Sequence, residues 1–380
     1  MQEMTSLNES RDLHVSGMNG TMTTQLVSDA TREMFILVNH VVLSTSICLM
    51  GIVVNILNIC VFVKQGLKRS TNSSFFAMAV SDLCGVLTQV WHNFCLDPYV
   101  DRLHLPVDFM DVQYLTAGWP NSCLVRITGW ITVYITAERC LSIALPLKIK
   151  QIVTPRRTAC VLVFIYAINI ASILPLYFSA YFSWNFYPLY NTTKLGISFR
   201  PNKLEIESLI FIFQASLAIT AFISVIIFTS VLVVKLKKKS KWRQKSTFDK
   251  DQTESMSNRE RRTVSLIILV ATVLIVCYSP AVVCSITTTL YPAFSITGPQ
   301  SNLFHIAWSF GFLCHSINSS VTIFLYYSMS SKYRATFNQL FPLCACSSAA
   351  DSDESSVQRT SESGVGSVQS VVSSVQSARI

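Results

Sequence analysis

Long blocks of apolar residues alternate with short polar segments along most of this chain. The apolar blocks lie at about 35–63, 74–96, 119–145, 158–182, 207–234, 263–290 and 303–327. A block of about 20 apolar residues is long enough to cross a bilayer as an α-helix. Each block must be helical, because lipid offers no partner to an open backbone amide. The pattern therefore predicts an all-α membrane protein built as a seven-transmembrane helix bundle.

Composition and charge support a membrane protein and orient it. Only 13% of the residues are charged and 51% are hydrophobic, whereas soluble domains carry about a quarter charged residues. With the N-terminus outside, the cytoplasmic segments hold 22 of the 30 Lys and Arg residues, as positive loops require. We therefore expect a multi-pass plasma-membrane protein with an extracellular N-terminus and a cytoplasmic C-terminus. The basic cluster 235–245 would then meet anionic membrane lipid or a cytosolic partner, and no nucleic acid is expected to bind.

The polar segments divide the chain into three regions. Residues 1–34 are predicted to be a disordered external tail, 35–341 the seven-transmembrane domain, and 342–380 a Ser-rich cytoplasmic tail. The third cytoplasmic loop is expected at about 235–262, and a short amphipathic eighth helix at 332–343.

Candidate modification sites follow from this topology. The sequons expected to carry glycans on external segments are Asn8, Asn19 and Asn191. Cys344 and Cys346 follow the amphipathic stretch and are candidates for palmitoylation. Serines of the tail alternate with acids, so phosphorylation would add dense negative charge for a cytosolic partner to recognise; a plain solvated tail is equally compatible.

Polar groups inside an apolar span are costly and usually functional. Asp82 is a lone carboxylate in the middle of the second block. It is either a protonated acid bonded to its neighbours or a hydrated cation site, with sodium as the candidate ion and no other cofactor expected. Hard cations prefer oxygen ligands, and the oxygen ligands expected beside Asp82 are Thr128, Asn318 and Ser319.

A second polar group stands at the cytoplasmic end of the third block. Arg139 follows Glu138 there, and Glu260 lies at the cytoplasmic end of the sixth block. Arg139 either reaches to the interface or forms a salt bridge with Glu260 that holds two helices together. Breaking such a pair can cost a few kcal/mol, which suits a two-state switch. Pro280 kinks the sixth helix, which could swing outward once released.

These residues, in this order, resemble class A, rhodopsin-like G-protein-coupled receptors. The matching motifs are Gly51-x-x-x-Asn55, Ala79-Val-Ser-Asp82-Leu83, Glu138-Arg139-Cys140, Pro146-Leu147, Cys277-Tyr278-Ser279-Pro280 and Thr322-Ile323-Phe-Leu-Tyr326. The run 138–155 is similar to molluscan chemosensory or peptide-receptor-like members. The chain departs from the family in lacking a cysteine between the fourth and fifth blocks, and in carrying Ile323 where the family has proline.

The resemblance implies a function and two kinds of partner. Such a receptor passes binding of an extracellular ligand, here a neuropeptide or an environmental chemical, to a heterotrimeric G protein. Tyr326 would join Glu138, Arg139, Glu260 and Pro280 in the activation switch. The implied contacts of the G protein are Arg139, Pro146, Leu147, Arg261 and Arg262.

The resemblance also places a ligand pocket. Asn121 stands where amine receptors carry a carboxylate, which disfavours a monoamine ligand. Arg126 lies five residues further in. It either pairs internally with Glu205 or Glu207 or binds a ligand carboxylate or amide oxygen bidentately. The aromatic and polar residues expected at the mouth are Trp91, Tyr278, His305, Trp308 and Phe312.

Other classes of function fit the sequence less well. A transporter, the main alternative, would favour paired inverted repeats and broken helices, and no such halves are visible. A channel would need pore-lining charge or a selectivity filter. No clustered catalytic set is present, so the chain is not expected to be an enzyme.

Overall fold

The computed structural model describes residues 25–103, 105–145, 148–187, 192–245, 251–295 and 298–342. Most of these residues are helical. The helices are α1 Asp29–Gln65, α2 Ser70–Cys95, α3 Trp119–Ala144, α4 Pro155–Ser179, α5 Lys203–Lys245, α6 Asp251–Leu290, α7 Ser301–Ser320, α8 Thr322–Met329 and α9 Ser331–Leu340. The short stretches Phe109–Gln113 and Tyr114–Gly118, the second of them π-helical, lead directly into α3.

Among the described residues, five helices are long and apolar enough to cross a membrane, judged by length and composition. They are α1, α2, α4, Glu205–Lys238 of α5 and Arg262–Leu290 of α6. The predicted blocks 119–145 and 303–327 are also helical, as α3 and as α7 with α8. Both α3 and α7 carry many buried polar side chains. Helix α3 packs against α2, α4, α5 and α6, and α7 packs against α1, α2 and α6, so their polar faces meet protein rather than lipid.

The all-α prediction missed a β-hairpin after α4. The fourth apolar block was expected to stay helical to 182, but the helix ends at Ser179 and β1 runs over Ala180–Tyr187. It pairs antiparallel with β2, Thr192–Phe199. Aromatic residues at every second position, Phe182, Trp184 and Phe186, are the alternation typical of a strand, which an apolar-block count does not detect.

The hairpin is attached to the start of α3 without a disulfide. The carboxylate of Asp111 accepts hydrogen bonds from the Ile197 amide at 3.2 Å and from the Tyr187 hydroxyl at 3.3 Å. Leu195 exchanges backbone hydrogen bonds with Pro106 and Asp108. Burial raises the pKa of the Asp111 carboxyl. We call these contacts the Asp111 clasp. They attach the hairpin through hydrogen bonds, since β1 and β2 contain no cysteine that could form a disulfide.

The predicted third cytoplasmic loop is helical over much of its length. Helix α5 continues to Lys245 and α6 begins at Asp251, so both helices extend into the segment of about 235–262 that was assigned to this loop. The amphipathic stretch after the last block is helix α9. The Ser330 side chain caps its N-terminus by accepting from the Tyr333 amide, and Tyr333 and Phe337 are buried one turn apart.

A polar seam joins α1 to α7 and α8 along their length. Lipid supplies no hydrophobic drive for helix association, so small and hydrogen-bonding residues carry such interfaces. The bonded pairs are Asn39 with Ser309 at 2.8 Å, Ser44 with Ser316 at 2.7 Å, Asn55 with the Ser319 carbonyl at 2.8 Å and Asn58 with Thr322 at 3.1 Å. Gly51 lies on the same face, in direct contact with Ser320. The seam fixes α7, one wall of the cavity described next.

Candidate functional site

A cavity of about 340 Å³ lies between α3, α5, α6 and α7, towards the end of the bundle that carries the hairpin. Cavities of this size hold small organic molecules. Five of the residues predicted to contact ligand line it: Asn121, Arg126, Tyr278, Trp308 and Phe312. The structure thus brings Asn121 and Arg126 of α3 to the same cavity as Tyr278 of α6 and two aromatic residues of α7.

Arg126 is buried in the wall of this cavity, with 8% of its surface exposed. Its Nε and Nη2 atoms have no hydrogen-bond partner in the part of the chain that the structure describes. The Cys123 thiol and the Tyr278 side chain lie beside the guanidinium. Arg126 forms no ion pair with any residue that the structure describes.

The structure does not pair Arg126 with Glu207, although an internal ion pair was one of the two alternatives considered for this arginine. Glu207 accepts a hydrogen bond from the Tyr114 hydroxyl at 2.7 Å and lies 3.9 Å from the Lys203 ammonium. Tyr114 and Arg126 are separated by about 18 Å along the helix axis, at 1.5 Å per residue. Glu207 therefore sits near the mouth of the cavity and Arg126 near its floor.

Asn121 and Tyr278 are anchored by backbone carbonyls of neighbouring helices. The Asn121 amide nitrogen donates to the Gly85 carbonyl at 2.9 Å, and its Oδ1 has no partner. The Tyr278 hydroxyl donates to the Val125 carbonyl at 2.7 Å, and its ring stands edge-on to His315, with centroids 4.9 Å apart. Both side chains are thus held in place in the cavity wall.

Two residues expected at the mouth do not line this cavity. On α7 the lining residues Phe304, Trp308, Phe312 and His315 are spaced by three or four positions and share one face. His305 is turned about 100° from Phe304 and packs against its ring. Trp91 donates to the Thr116 hydroxyl at 2.8 Å and stacks on Phe94.

Several cavity residues were missed by sequence reasoning. Gln214 is a buried amide in the middle of the long α5 span, and its Oε1 has no partner. A polar residue so deep in an apolar block was a usable signal. The aromatic wall residues Trp119, Phe211 and Phe222 carried no such signal, because aromatic residues are common in lipid-facing positions as well.

A second, much smaller cavity of about 10 Å³ adjoins Asp82. The Thr128 hydroxyl donates to Asp82 Oδ1 at 2.8 Å and the Ser319 hydroxyl at 3.1 Å. Two of the three predicted oxygen ligands thus lie on the carboxylate. Asn318 is buried nearby, but His315 rather than Asn318 lines the space. The room is that of about one water molecule.

At the opposite end of the bundle, Arg139 is bonded within its own neighbourhood. Its Nη2 lies 2.9 Å from Glu138 Oε1 and also contacts the Thr71 hydroxyl. Glu138 Oε2 accepts a further hydrogen bond from Ser70 at 2.9 Å. The side chain of Glu260, the other partner considered, lies outside the described residues.

A third cavity, of about 380 Å³, opens beside this cluster. Arg262 of α6 and Tyr326 of α8 line it, together with Arg69. The Tyr326 hydroxyl is buried and has no partner among the described residues. Pro280 lies inside α6 at the level of the ligand cavity, whose α6 lining runs from Leu274 to Ser285. Other predicted sites lie outside the described residues: Pro146, Leu147, the side chain of Arg261, Asn8, Asn19, Asn191, Cys344 and Cys346.

Comparison with known proteins bears on this arrangement. The family model described as "Serpentine type 7TM GPCR chemoreceptor Srw" matches residues 42–344, which is most of the chain and includes both large cavities. No curated protein sequence is significantly similar to the chain. The chain belongs to the Srw family of serpentine seven-transmembrane chemoreceptors, and it is a multi-pass membrane receptor that couples an extracellular ligand to a G protein.

Proposed function

We propose that the chain is a class A, rhodopsin-like receptor with seven spans, and that the cavity around Arg126 is its ligand site. The observation that carries the proposal is the cavity itself: a space between α3, α5, α6 and α7 whose lining residues carry buried polar atoms without a partner among the described residues. Buried polar groups are almost always bonded, so free ones around a cavity point to a ligand. The ligand of this site would be a neuropeptide or an environmental chemical.

Helix α6 is the element that would transmit the signal. Tyr278 lines the ligand cavity, Pro280 follows it within one turn, and Arg262 lines the cavity at the other end. A ligand that moves Tyr278 would pivot α6 about the proline. The outward motion would admit a helix of the G protein beside Arg139, a helix-in-groove contact.

The orientation follows from the positive-inside rule and places the hairpin outside. Glycans at Asn8, Asn19 and Asn191, palmitoyl groups at Cys344 and Cys346, and an arrestin-like partner of the Ser-rich tail belong to the same proposal. Substituting Asn191→Gln in the full chain is expected to speed its gel migration unless glycosidase is added first. No change in migration would contradict an external hairpin.

Asp82 would serve as a site for a sodium ion. The Asp82 carboxylate and the hydroxyl oxygens of Thr128 and Ser319 are hard donors of the kind that sodium accepts, and the adjoining space of about 10 Å³ admits one small species. The ion would neutralise a carboxylate that otherwise faces only hydroxyl donors. A transporter, the other class considered, is not favoured by the family match.

A cell-based second-messenger assay tests the proposal. The full chain is expressed with a promiscuous G protein and challenged with pools of neuropeptides and of small acids and amino acids. We expect a response that Arg139→Ala abolishes while surface expression is retained. Arg102→Ala is the matched control, because Arg102 is exposed at the hairpin end and stacks on Tyr99. A response that survives in Arg139→Ala contradicts the proposed switch.

A further inference from the structure

The unsatisfied atoms of Arg126 define one edge of its guanidinium. Nε and Nη2 are the two nitrogens whose N–H bonds point the same way, side by side, and these two are the buried atoms without a partner. That edge matches the two oxygens of a carboxylate, so that two parallel hydrogen bonds form at once. The free atoms are thus a complete half of a bidentate pair.

No acid of the described chain completes that pair. The described ion pairs involve Asp29, Glu138 and Glu207, none of them with Arg126. Asp82 is engaged by Thr128 and Ser319. A buried charge without a counterion is costly to keep, and an aliphatic residue would fill the same space at less cost. The site is therefore built for an anion supplied from outside.

The remaining wall describes the body of that anion. The cavity lining is mainly aromatic and aliphatic, and its aromatic members include Trp119, Phe211, Phe222, Trp308 and Phe312. Such a wall favours an apolar or aromatic group. Inorganic anions and highly polar acids would leave it unfilled.

Two side-chain amide oxygens of the cavity wall, those of Gln214 and Asn121, also have no partner among the described residues and could accept hydrogen bonds from a ligand. Ser172 donates its hydroxyl proton to the Asn169 carbonyl, so it must accept from the Gln214 amide nitrogen at 2.7 Å. This fixes the orientation of Gln214 and leaves its Oε1 as the unpartnered acceptor. Asn121 likewise gives its nitrogen to the Gly85 carbonyl and keeps Oδ1 free. An N–H group of a ligand would satisfy either oxygen.

We propose that this cavity recognises a carboxylate carried on an apolar or aromatic body with a nearby N–H group, held by the Nε and Nη2 edge of Arg126. The inference rests on the proposed ligand site and adds the chemical class of ligand. A free small acid and the C-terminus of a short peptide share this chemistry, and the experiment below separates them.

Matched acids and amides test the charge requirement directly. The purified full chain in nanodiscs is heated with 3-phenylpropionate, N-acetylphenylalanine or Gly-Gly-Phe, and with the amide of each. We expect the acids to raise Tm and their amides to leave it unchanged. In Arg126→Gln the apparent affinity for an acid should fall about 10- to 100-fold, the range for hydrogen bonds to a charged group. Arg102→Gln, the same substitution at an exposed site, should bind acids as the unaltered chain does.

Stability without any added acid gives a second, independent readout. If Arg126 is an uncompensated buried charge, Arg126→Gln should unfold at the same Tm as the unaltered chain or a higher one. A residue with a structural ion pair would show the opposite, because removing one partner strands the other. Arg126→Lys keeps the positive charge but lacks the two parallel N–H donors. Its affinity for acids should therefore lie between that of the unaltered chain and that of Arg126→Gln.

The outcomes separate the ligand proposal from the receptor proposal. Binding of the tripeptide alone assigns a peptide C-terminus, and binding of the small acids alone assigns a free acid. Acids that shift Tm no more than their amides, or bind Arg126→Gln unchanged, overturn the ligand class even where Arg139-dependent signalling is intact. Acid binding without Arg139-dependent signalling would uphold the anion site and overturn the proposed activation mechanism.

Discussion

Gly51 is the position where the packing of α1 on α7 can be tested most sharply. A methyl group there would collide with the Ser320 hydroxyl and stand 3.2 Å from both Ser320 Cβ and Val86 Cγ1. The hydroxyl cannot simply turn away, since it donates to the Ile47 carbonyl at 3.0 Å. Gly51→Ala therefore forces two helices apart or breaks that hydrogen bond.

The magnitude follows from three contributions. Overpacking a tight contact costs about 1–3 kcal/mol, and a strained or lost hydrogen bond adds about 1 kcal/mol. Alanine is better than glycine in a helix by about 0.5–1 kcal/mol, which offsets part of the loss. We expect Gly51→Ala to lower the free energy of unfolding by about 1–3 kcal/mol. For a chain of this length Tm should fall by about 1–2 °C for each kcal/mol lost.

Thermal unfolding of the detergent-solubilised full chain measures the effect. Gly85→Ala is the matched control, because the nearest atom to its added methyl is Leu124 Cβ at 3.9 Å, an ordinary contact. Ser320→Ala removes the colliding oxygen, so Gly51→Ala should cost less in that background, with a coupling of at least about 0.5 kcal/mol. Equal stability of Gly51→Ala and Gly85→Ala, or no coupling to Ser320→Ala, would refute this account of the α1–α7 contact.

Three further substitutions test other parts of the structure. Tyr333→Phe removes the donor to Asn58 Oδ1 at 2.6 Å and should destabilise the chain by about 1–2 kcal/mol in thermal unfolding, with the less buried Tyr327→Phe as control. Asp111→Ala should speed hydrogen exchange at the Ile197 amide by opening the Asp111 clasp. Asp97→Ala, which removes a distant helix cap, should leave that exchange rate unchanged. An unchanged rate in Asp111→Ala would show that the backbone hydrogen bonds of Leu195 hold the hairpin without the carboxylate. Tyr278→Phe removes the hydrogen bond to the Val125 carbonyl and should raise agonist-independent signalling; basal signalling at or below that of the unaltered chain would contradict a restraining role.

The sequence predicted the parts of the fold that lipid dictates. Because lipid offers no partner to an open backbone amide, a span must be mainly helical, and the structure has helices at the positions of the seven apolar blocks. The hairpin after Ser179 obeys a different rule: its aromatic residues are alternating and also apolar, so they merged with the fourth block. A period-two pattern at the end of a period-3.6 block was the available signal.

The sequence alone identified the unusual residue of the candidate site, but it could not show which other residues that side chain contacts. Arg126 is an uncommon residue in an apolar block, and its helical offset from Asn121 places it in the cavity wall. Whether its charge was already paired depended on where Glu207 lies, and that is set by the Tyr114 hydroxyl and Lys203. Spacing along one helix gives a direction, but only packing between helices gives a partner.

The hydrogen bonds between helices differ in a way that bears on signalling. Helix α1 is joined to α7 by side-chain pairs at several depths, from Asn39 with Ser309 to Asn55 with the Ser319 carbonyl, so these helices resist sliding. Helix α6 meets α3 through the Tyr278 hydroxyl, next to Pro280 and beside Arg126. A bound anion would therefore act at the point where α6 is attached to α3, close to the residue that allows it to bend. A coupling of this kind needs only that the ligand favour one of two positions of a single helix, with the α1–α7 seam as the fixed frame.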